Sequence, residues 1–147
     1  MILTNEYIRG LIDGEGCFTF HTRDAVRNGV GVKEKMPAFA LAMHVRDKDL
    51  IEAVRDHLGL KSTVYVHKQS VADGSNRGLR AALMVRNFGD LKNIIIPFFY
   101  GKLKGYKAKQ FIEWLEDIGT DPMVAETYKV LHRLYKSGWW DRQKLPE

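Results

Sequence analysis

YIRGLIDGEGCF, residues 7–18, is the stretch of sequence from which the fold is predicted. Ile8, Leu11 and Ile12 recur at helical spacing, which predicts a short amphipathic helix over residues 5–13. Glycines follow the last apolar residue and predict the end of this helix, since glycine adopts backbone angles that other residues avoid. We therefore expect the chain to leave the helix near Gly16 and to continue as a strand.

Two pairs of residues in this stretch are unusual for a surface helix. Gly10 and Gly14 lie four positions apart on one helix face, where missing side chains would let another helix approach closely. Asp13 and Glu15 lie at the C-terminal end, where the carbonyl groups are already negative and each carboxylate costs about 0.3–1 kcal/mol. A hard divalent cation would reverse that effect, because it takes carboxylate and carbonyl oxygens as ligands. A capped helix with two solvated acids explains the same residues equally well.

Length and composition are typical of one globular domain with a basic surface. The 147 residues are 45% hydrophobic and 28% charged, and the formal net charge of +5 favours a polyanionic partner. Cys17 is the only cysteine, so neither an internal disulfide nor a cysteine-based zinc site is expected. The histidines show no pairing at metal-ligand spacing, and they are His21, His44, His57, His67 and His132.

The N-terminus lacks a leader pattern, and no apolar run approaches membrane length. We therefore expect a soluble intracellular protein that makes no membrane contact. A bacterial cytoplasm, an archaeal cytoplasm and an organelle all remain possible compartments.

The remaining patterns predict an alternation of strands and helices. Strands are predicted at residues 17–23, 37–45, 62–69 and 79–85. Further helices are predicted at residues 48–58, 90–96, 106–118 and about 122–136, with Asp47 as a plausible N-cap of the first and Pro97 ending the second. Residues 24–35 are predicted to form a mobile hairpin connection, and residues 70–78 a polar turn.

Residues 8–16 resemble the signature motif of the LAGLIDADG homing endonucleases. Identical positions are Gly10, Leu11, Ile12, Asp13 and Gly16, conservative ones are Ile8 and Glu15, and departures are Arg9 and Gly14. The order of predicted elements is also that of the family. The resemblance implies an α+β fold, α-β-β-α-β-β-α, with an antiparallel saddle-shaped sheet and extra C-terminal helices. It implies a single domain over residues 1–147, with a core at about 5–118 and a helical extension at 119–147.

One signature motif in the chain implies a homodimer, since the family packs two signature helices together. We expect Gly10, Asp13 and Gly14 at that interface, with the alternative that the glycine face packs on another part of the same chain. The resemblance also implies that the second acid of the motif, Glu15, ligates a metal ion together with the Gly14 carbonyl group. Mg²⁺ is the expected ion, with Mn²⁺ as a substitute and Ca²⁺ binding without efficient cleavage. Asp13 is expected to brace the helix junction.

Two further catalytic residues are expected from the resemblance. Lys102 follows Pro97 by five residues, as does a family lysine near the scissile phosphate, and Lys104 is its substitute if Lys102 is only solvated. Asp47 matches the place of a polar residue that positions solvent, although an N-cap explains it equally well. Position 51, where the family sometimes has a basic residue, is isoleucine here, and Arg46 or Lys48 would have to compensate.

The outward side chains of the sheet are expected to contact double-stranded DNA, since such side chains can read base edges in the major groove. The expected contacts on the sheet face are Thr19, His21, Arg23, His44, Tyr65, His67 and Arg80, and those reaching phosphate from the hairpin connection are Arg27, Lys33 and Lys35.

The leading interpretation is a homodimeric, Mg²⁺-dependent, site-specific endonuclease that makes double-strand breaks in a long pseudo-palindromic target and is encoded by an intron or similar mobile element. A LAGLIDADG-derived RNA maturase bound to intron RNA, or a DNA-binding regulator without cleavage, is the alternative. A small basic structural domain with a chance motif is a third. Glu15 favours the nuclease, because loss of the motif acid would favour a binder.

Overall fold

The computed structural model describes residues 1–68 and 78–147 as a four-stranded sheet covered by helices. The strands are β1 (Gly16–Arg27), β2 (Val30–His44), β3 (Tyr65–Lys68) and β4 (Leu79–Val85). The α-helices are α1 (Asn5–Glu15), α2 (Lys48–Leu58), α3 (Phe88–Asp90), α4 (Ile96–Phe99), α5 (Tyr106–Thr120) and α6 (Lys129–Lys136). A π-helical turn, Leu91–Ile95, joins α3 to α4, and 3-10 turns lie at Val45–Asp47, Glu126–Tyr128 and Trp140–Arg142. The α+β class and the predicted order of elements are confirmed.

The sheet has the strand order β1-β2-β4-β3, and every neighbouring pair is antiparallel. The ladder opposes Phe18 to Phe39 and Leu41 to Leu83, which puts these side chains on the face that the helices cover. Phe18 is the centre of this core, with its ring 4.9 Å from that of Phe111 and 5.3 Å from that of Trp114. The buried cluster runs from Ile8 near the start of the chain to Trp140 near its end, so the C-terminal helices share it.

The predicted mobile connection over residues 24–35 is wrong, because both strands continue through it. β1 and β2 remain paired out to Arg27 and Val30, and only Asn28 and Gly29 form the turn. Their φ angles of 54° and 77° match a two-residue turn with positive φ at both central positions. The Asn-Gly dipeptide is suited to that turn, so it ends a long two-stranded ribbon. We call residues 22–35 the ribbon.

The segment after α5 braces the ribbon. The Lys35 backbone N–H donates to the Met123 carbonyl at 2.8 Å, the Lys35 carbonyl accepts from the Ala125 N–H at 3.0 Å, and the Lys35 Nζ lies 2.7 Å from an Asp121 carboxylate oxygen. The lysine hydrogen bond lowers the pKa of Asp121. The predicted start of the last helix at residue 122 is therefore wrong: those backbone groups bond to β2, and α6 begins at Lys129.

The predicted end of a helix before Pro97 is also wrong, because helical structure continues to Phe99. The Ile96 N–H bonds to the Leu91 carbonyl, five residues earlier, in the π-helical turn. In the same pattern the N–H that Pro97 lacks would bond to the Lys92 carbonyl. The Trp140 indole N–H donates to that carbonyl at 3.3 Å instead, so a tertiary contact compensates for the proline.

Other boundaries differ by a few residues. α1 extends through Gly14 to Glu15 rather than ending at Asp13, and it leads directly into β1. β3 begins at Tyr65, three residues later than predicted. The predicted last residue of this strand, Gln69, and all but the final residue of the turn predicted at 70–78 lie outside the described residues. Within the ranges that the structure describes, no helix has the length and hydropathy needed to cross a membrane.

Candidate functional site

Glu15 occupies the C-terminal end of α1 as an exposed acid. The last turn of the helix contains no basic residue, and the final carbonyl groups of a helix lack intrahelical donors. A carboxylate and carbonyl oxygens therefore meet at the negative end of the helix dipole, which is the donor set that a hard divalent cation prefers. In residues 1–68 and 78–147 no three His, Cys, Asp or Glu side chains cluster as a metal site. One chain therefore supplies only part of the set of oxygen ligands that a divalent cation would need.

Asp13 lies only two residues from Glu15 but is bonded within the chain. Its carboxylate accepts hydrogen bonds from the Lys104 N–H at 3.0 Å and from the Gly105 N–H at 3.2 Å. Gly105 is the N-cap of α5 and offers no side chain of its own, so Asp13 caps that helix from α1. A carboxylate at a helix N-terminus is favourable, which compensates for its unfavourable place at the end of α1.

One face of α1 is open. Tyr7 is 49% exposed, Gly10 and Gly14 are exposed, and a Cβ placed on either glycine would meet no atom of the described residues within 4 Å. The alternative that this glycine face packs on another part of the same chain is therefore wrong for residues 1–68 and 78–147. We call the exposed side of α1 that carries Tyr7, Gly10 and Gly14 the α1 open face.

The opposite side of α1 holds the helix to the rest of the chain. Ile8 and Ile12 are fully buried, and Arg9 is 6% exposed. The Arg9 guanidinium donates to the Phe98 carbonyl at 2.9 Å and to the Pro146 carbonyl at 2.8 Å. Burial lowers the pKa of Arg9. The sequence marked Arg9 only as a departure from the motif and gave no sign of this structural role.

Lys102 and Lys104 lie beside the acidic end of α1. Both line a cleft of about 480 Å³ together with Asp13 and Gly10, and both are exposed. The Lys102 N–H donates to the Phe99 carbonyl at 3.0 Å, which fixes the turn that follows α4. No carboxylate pairs with either ammonium group in the described parts of the chain. The structure thus brings both lysines to the end of α1, and their positions do not distinguish which of them would act on the scissile phosphate.

Asp47 occupies the N-cap position of α2, as predicted, but its side chain makes no capping hydrogen bond. The preceding turn is closed by the His44 Nδ1, which accepts from the Arg46 N–H at 3.1 Å. Because Gly16 at the start of β1 pairs with Leu41 near the end of β2, Asp47 and Glu15 lie at the same end of the sheet.

The pairing register puts most of the expected DNA contacts on the sheet face away from the core. This open sheet face carries Thr19, His21, Arg23, Arg27, His44, Tyr65, His67 and Arg80. Arg80 is the cross-strand neighbour of both His44 and His67, and its Nη2 donates to the Ala42 carbonyl at 2.9 Å. In β2 the same register puts Ala38, Ala40 and Ala42 on this face and Phe39 and Leu41 on the core face.

Lys33 and Lys35 do not lie where the sequence prediction put them. Both belong to β2 rather than to a mobile loop, and the register puts both on the opposite face of the ribbon from Arg23. Lys33 pairs with Asp24 at 2.5 Å and Lys35 with Asp121 at 2.7 Å. Their charges are partly compensated there.

The sequence analysis missed Glu34, which is 6% exposed on the open face of the ribbon. Its carboxylate oxygens lie 2.5 Å from the Arg23 Nη2 and 2.6 Å from the Arg27 Nη2. Treating residues 24–35 as a loop hid this cluster, because cross-strand neighbours follow only from a register. The sequence signal that could have indicated this cluster is an acid flanked by Lys33 and Lys35 in a segment of alternating side chains.

Comparison with known proteins agrees with this geometry. A family model described as LAGLIDADG endonuclease matches residues 8–118. I-SmaMI bound to cleaved DNA matches at 24% identity with a TM-score of 0.63, over 94% of this chain and 45% of its own. I-SmaMI bound to an uncleaved target in the presence of calcium ions matches at 24% identity and a TM-score of 0.62, over 92% and 44%. I-TnaI, a homing endonuclease, matches at 22% identity and a TM-score of 0.57, over 93% and 99%. The chain thus spans less than half the length of I-SmaMI and nearly all of I-TnaI.

Proposed function

The chain belongs to the LAGLIDADG endonuclease family, and from that membership we propose that it is a homodimeric, metal-dependent endonuclease that makes double-strand breaks at a specific DNA site. The observation that carries the proposal is the α1 end. Glu15 is exposed beside a glycine face that nothing covers in the described residues, so one chain presents half of a catalytic centre and half of a helix interface.

The proposed dimer packs the α1 open faces of two copies together about a two-fold axis. Gly10 and Gly14 permit close approach of the two helices, and Asp13 fixes each helix end from within its own chain. The match to nearly the whole of I-TnaI, against less than half of I-SmaMI, supports a single-module chain that needs a partner copy. A symmetric dimer favours a pseudo-palindromic target.

The proposed catalytic centre uses the Glu15 carboxylate and the Gly14 carbonyl of each copy to hold Mg²⁺, with Mn²⁺ as a substitute. A bound divalent cation supplies positive charge at the attacking and leaving oxygens of a phosphodiester. The Lys102 ammonium stabilises charge on the scissile phosphate, and the Asp47 carboxylate orients the attacking water by accepting its hydrogen bond. I-SmaMI bound to an uncleaved DNA target in the presence of calcium ions supports the proposal of a divalent ion.

The open sheet face is proposed to lie in the major groove, with its polar and basic side chains on base edges and phosphates. The formal net charge of +5 supports a polyanionic partner. I-SmaMI, a related protein, is bound to an uncleaved DNA target and to cleaved DNA, which supports DNA as that partner. We also propose that an intron or similar mobile element encodes the protein, since homing requires cleavage of an uninterrupted gene copy.

The test uses a plasmid that carries the uninterrupted flanks of the host gene, incubated with the protein in Mg²⁺ and separately in Ca²⁺. We expect one double-strand cut in Mg²⁺, and binding with slow or no cutting in Ca²⁺. Tight binding without cutting in either ion would contradict the proposal and favour a regulator or a maturase, which binding to the intron RNA would then distinguish.

A further inference from the structure

Glu34 is a buried carboxylate among exposed arginines. Its side chain is 7% exposed, whereas those of Arg23 and Arg27 are 46% and 58% exposed. A buried carboxylate is unfavourable unless it is paired and hydrogen-bonded, and both Glu34 oxygens are bonded here. The ribbon therefore holds Glu34 in one orientation, and Glu34 in turn holds the two arginines.

The bonds to Glu34 use only one edge of the Arg23 guanidinium. Its Nε donates to the Glu34 Oε1 at 2.7 Å, and its Nη2 lies 2.5 Å from the same oxygen. A guanidinium has five N–H donors, so the edge formed by Nη1 and the second Nη2 hydrogen is left over. Arg23 has no other hydrogen-bond or ion-pair partner in residues 1–68 and 78–147. That edge has the spacing for a bidentate bond to O6 and N7 of guanine.

Arg27 is bonded differently. Its Nη2 donates to the Glu34 Oε2 at 2.6 Å, and its Nη1 donates to the Val26 carbonyl at 3.1 Å. Both terminal nitrogens are thus used inside the ribbon. Arg27 is therefore suited to fixing Glu34, whereas Arg23 is suited to reading a base.

We infer that Glu34 is a positioning residue that holds Arg23 so that its Nη1–Nη2 edge reads a guanine in the major groove, with Arg27 fixing Glu34 from the other side. The inference rests on the proposed function, because it requires the open sheet face to lie on DNA. A guanidinium held in place before binding loses less side-chain freedom when it meets the base.

The geometry also limits where the guanine lies. Arg23 is eight residues after Glu15, which corresponds to roughly 26 Å at about 3.3 Å per residue along a strand. At about 3.4 Å per base pair, the guanine is within roughly ten base pairs of the cut once the reach of the arginine side chain is included. A two-fold dimer places one such guanine in each half-site.

The test selects bound sequences from a duplex library randomised in both half-sites, with the wild type, Glu34→Gln and the matched control Asp24→Asn. Asp24 follows Arg23 on β1, but it lies on the opposite face of the ribbon from Glu34, where it pairs with Lys33. Both substitutions remove one negative charge, so they raise the affinity for unselected DNA to a similar extent. Thermal unfolding of all three proteins accompanies the selection.

We expect the wild type and Asp24→Asn to select a guanine within the stated distance, and Glu34→Gln to lose that preference by about ten-fold, the order of one bidentate base contact. The preference at positions read by the rest of the sheet stays unchanged. If Glu34→Gln does not fold, Glu34→Asp, which keeps the charge but shortens the side chain, replaces it in the selection and is expected to weaken the same guanine preference. The wild type on a site with 7-deazaguanine at that position tests the base contact itself, with an expected loss of about ten-fold because N7 is absent.

Full retention of the guanine preference in Glu34→Gln, equal weakening at every position, or a selected site without a guanine at that distance would overturn the inference. In those cases specific cleavage by the wild type still stands. Failure of the wild type to bind any sequence selectively would instead remove the proposed function, so the two failures are distinguishable.

Discussion

The surroundings of Asp13 and Glu15 differ sharply, although both are acids in the last turn of α1. Asp13 accepts backbone hydrogen bonds from Lys104 and Gly105, whereas Glu15 is exposed and has no hydrogen-bond or ion-pair partner in the described residues. Two residues are about 200° apart around a helix, so the two carboxylates point to different sides. The Asp13 carboxylate contacts the start of α5, whereas Glu15 is exposed at the end of α1.

The same charge at one helix end thus has two different surroundings. Asp13 bonds to the positive end of another helix and so contributes to the fold. Glu15 stays at a negative helix end without a partner in the described residues, and under the proposed function a bound cation supplies the compensating charge.

The largest expected effect is that of Glu15→Gln on cleavage. Loss of the carboxylate charge removes a metal ligand, and we expect cleavage to fall by at least ~10³-fold. Binding to the target without divalent ions stays within a few-fold, and thermal stability does not fall because Glu15 supports no contact in the described residues. Single-turnover cleavage, a binding titration and thermal unfolding measure the three quantities. Cutting at a near wild-type rate would show that the catalytic assignment is wrong.

Gly10→Leu should separate the α1 open face from the folding core. A Cβ at Gly10 meets nothing within 4 Å in the described residues, so the single chain should not lose stability, and removing a helical glycine gains up to about 1 kcal/mol. The same side chain would block close approach of a second helix. We expect loss of the dimer in sedimentation and a fall in cleavage of about 10²-fold or more.

Gly10→Ala is the matched control, since it adds one methyl group and should lose less of the dimer. A dimeric and fully active Gly10→Leu protein would show that this face is not the interface.

Lys102→Ala tests which lysine beside the acidic end acts in catalysis. We expect about a 10²-fold lower rate of the chemical step, the usual size for removing one stabilising donor. Lys104→Ala is the control, because it lines the same cleft and carries the same charge. It should change the rate only a few-fold. A larger loss of rate in Lys104→Ala than in Lys102→Ala would assign the catalytic role to Lys104 instead.

Asp13→Asn should affect folding more than chemistry. The amide weakens the hydrogen bonds to Lys104 and Gly105 and removes the charge at the start of α5, with an expected loss of about 1–3 kcal/mol in the free energy of unfolding. Urea unfolding measures it, with Glu113→Gln, whose ion pair with Lys109 is exposed, as a control expected to lose less than about 1 kcal/mol. An unchanged stability with abolished cleavage would place Asp13 in the catalytic centre instead.

The sequence predicted the parts of the fold that local patterns determine. Alternating apolar residues located β1 and β2, and the spacing of Ile8, Leu11 and Ile12 located α1. The motif also placed Glu15 at the end of that helix. These features depend on neighbours within a few residues along the chain.

The sequence could not supply features that depend on distant partners. Because the segment after α5 bonds to Lys35 through Met123 and Ala125, the last helix begins later than predicted, and the indole of Trp140 allows helical structure to continue past Pro97. The Glu34 cluster required the ribbon register, and the buried Arg9 required a contact with Pro146. Asp47 matched a capping pattern, yet no capping bond forms.

The most direct test of the central claim is the number of chains that one cut requires. Sedimentation of the protein on its labelled target duplex in Ca²⁺ gives the bound stoichiometry, and transfer of the same complex to Mg²⁺ gives the cleavage. We expect two chains per duplex and cutting of both strands by that complex. One chain per duplex that cuts both strands would contradict it, because a single Glu15 and an uncovered α1 open face would then be sufficient.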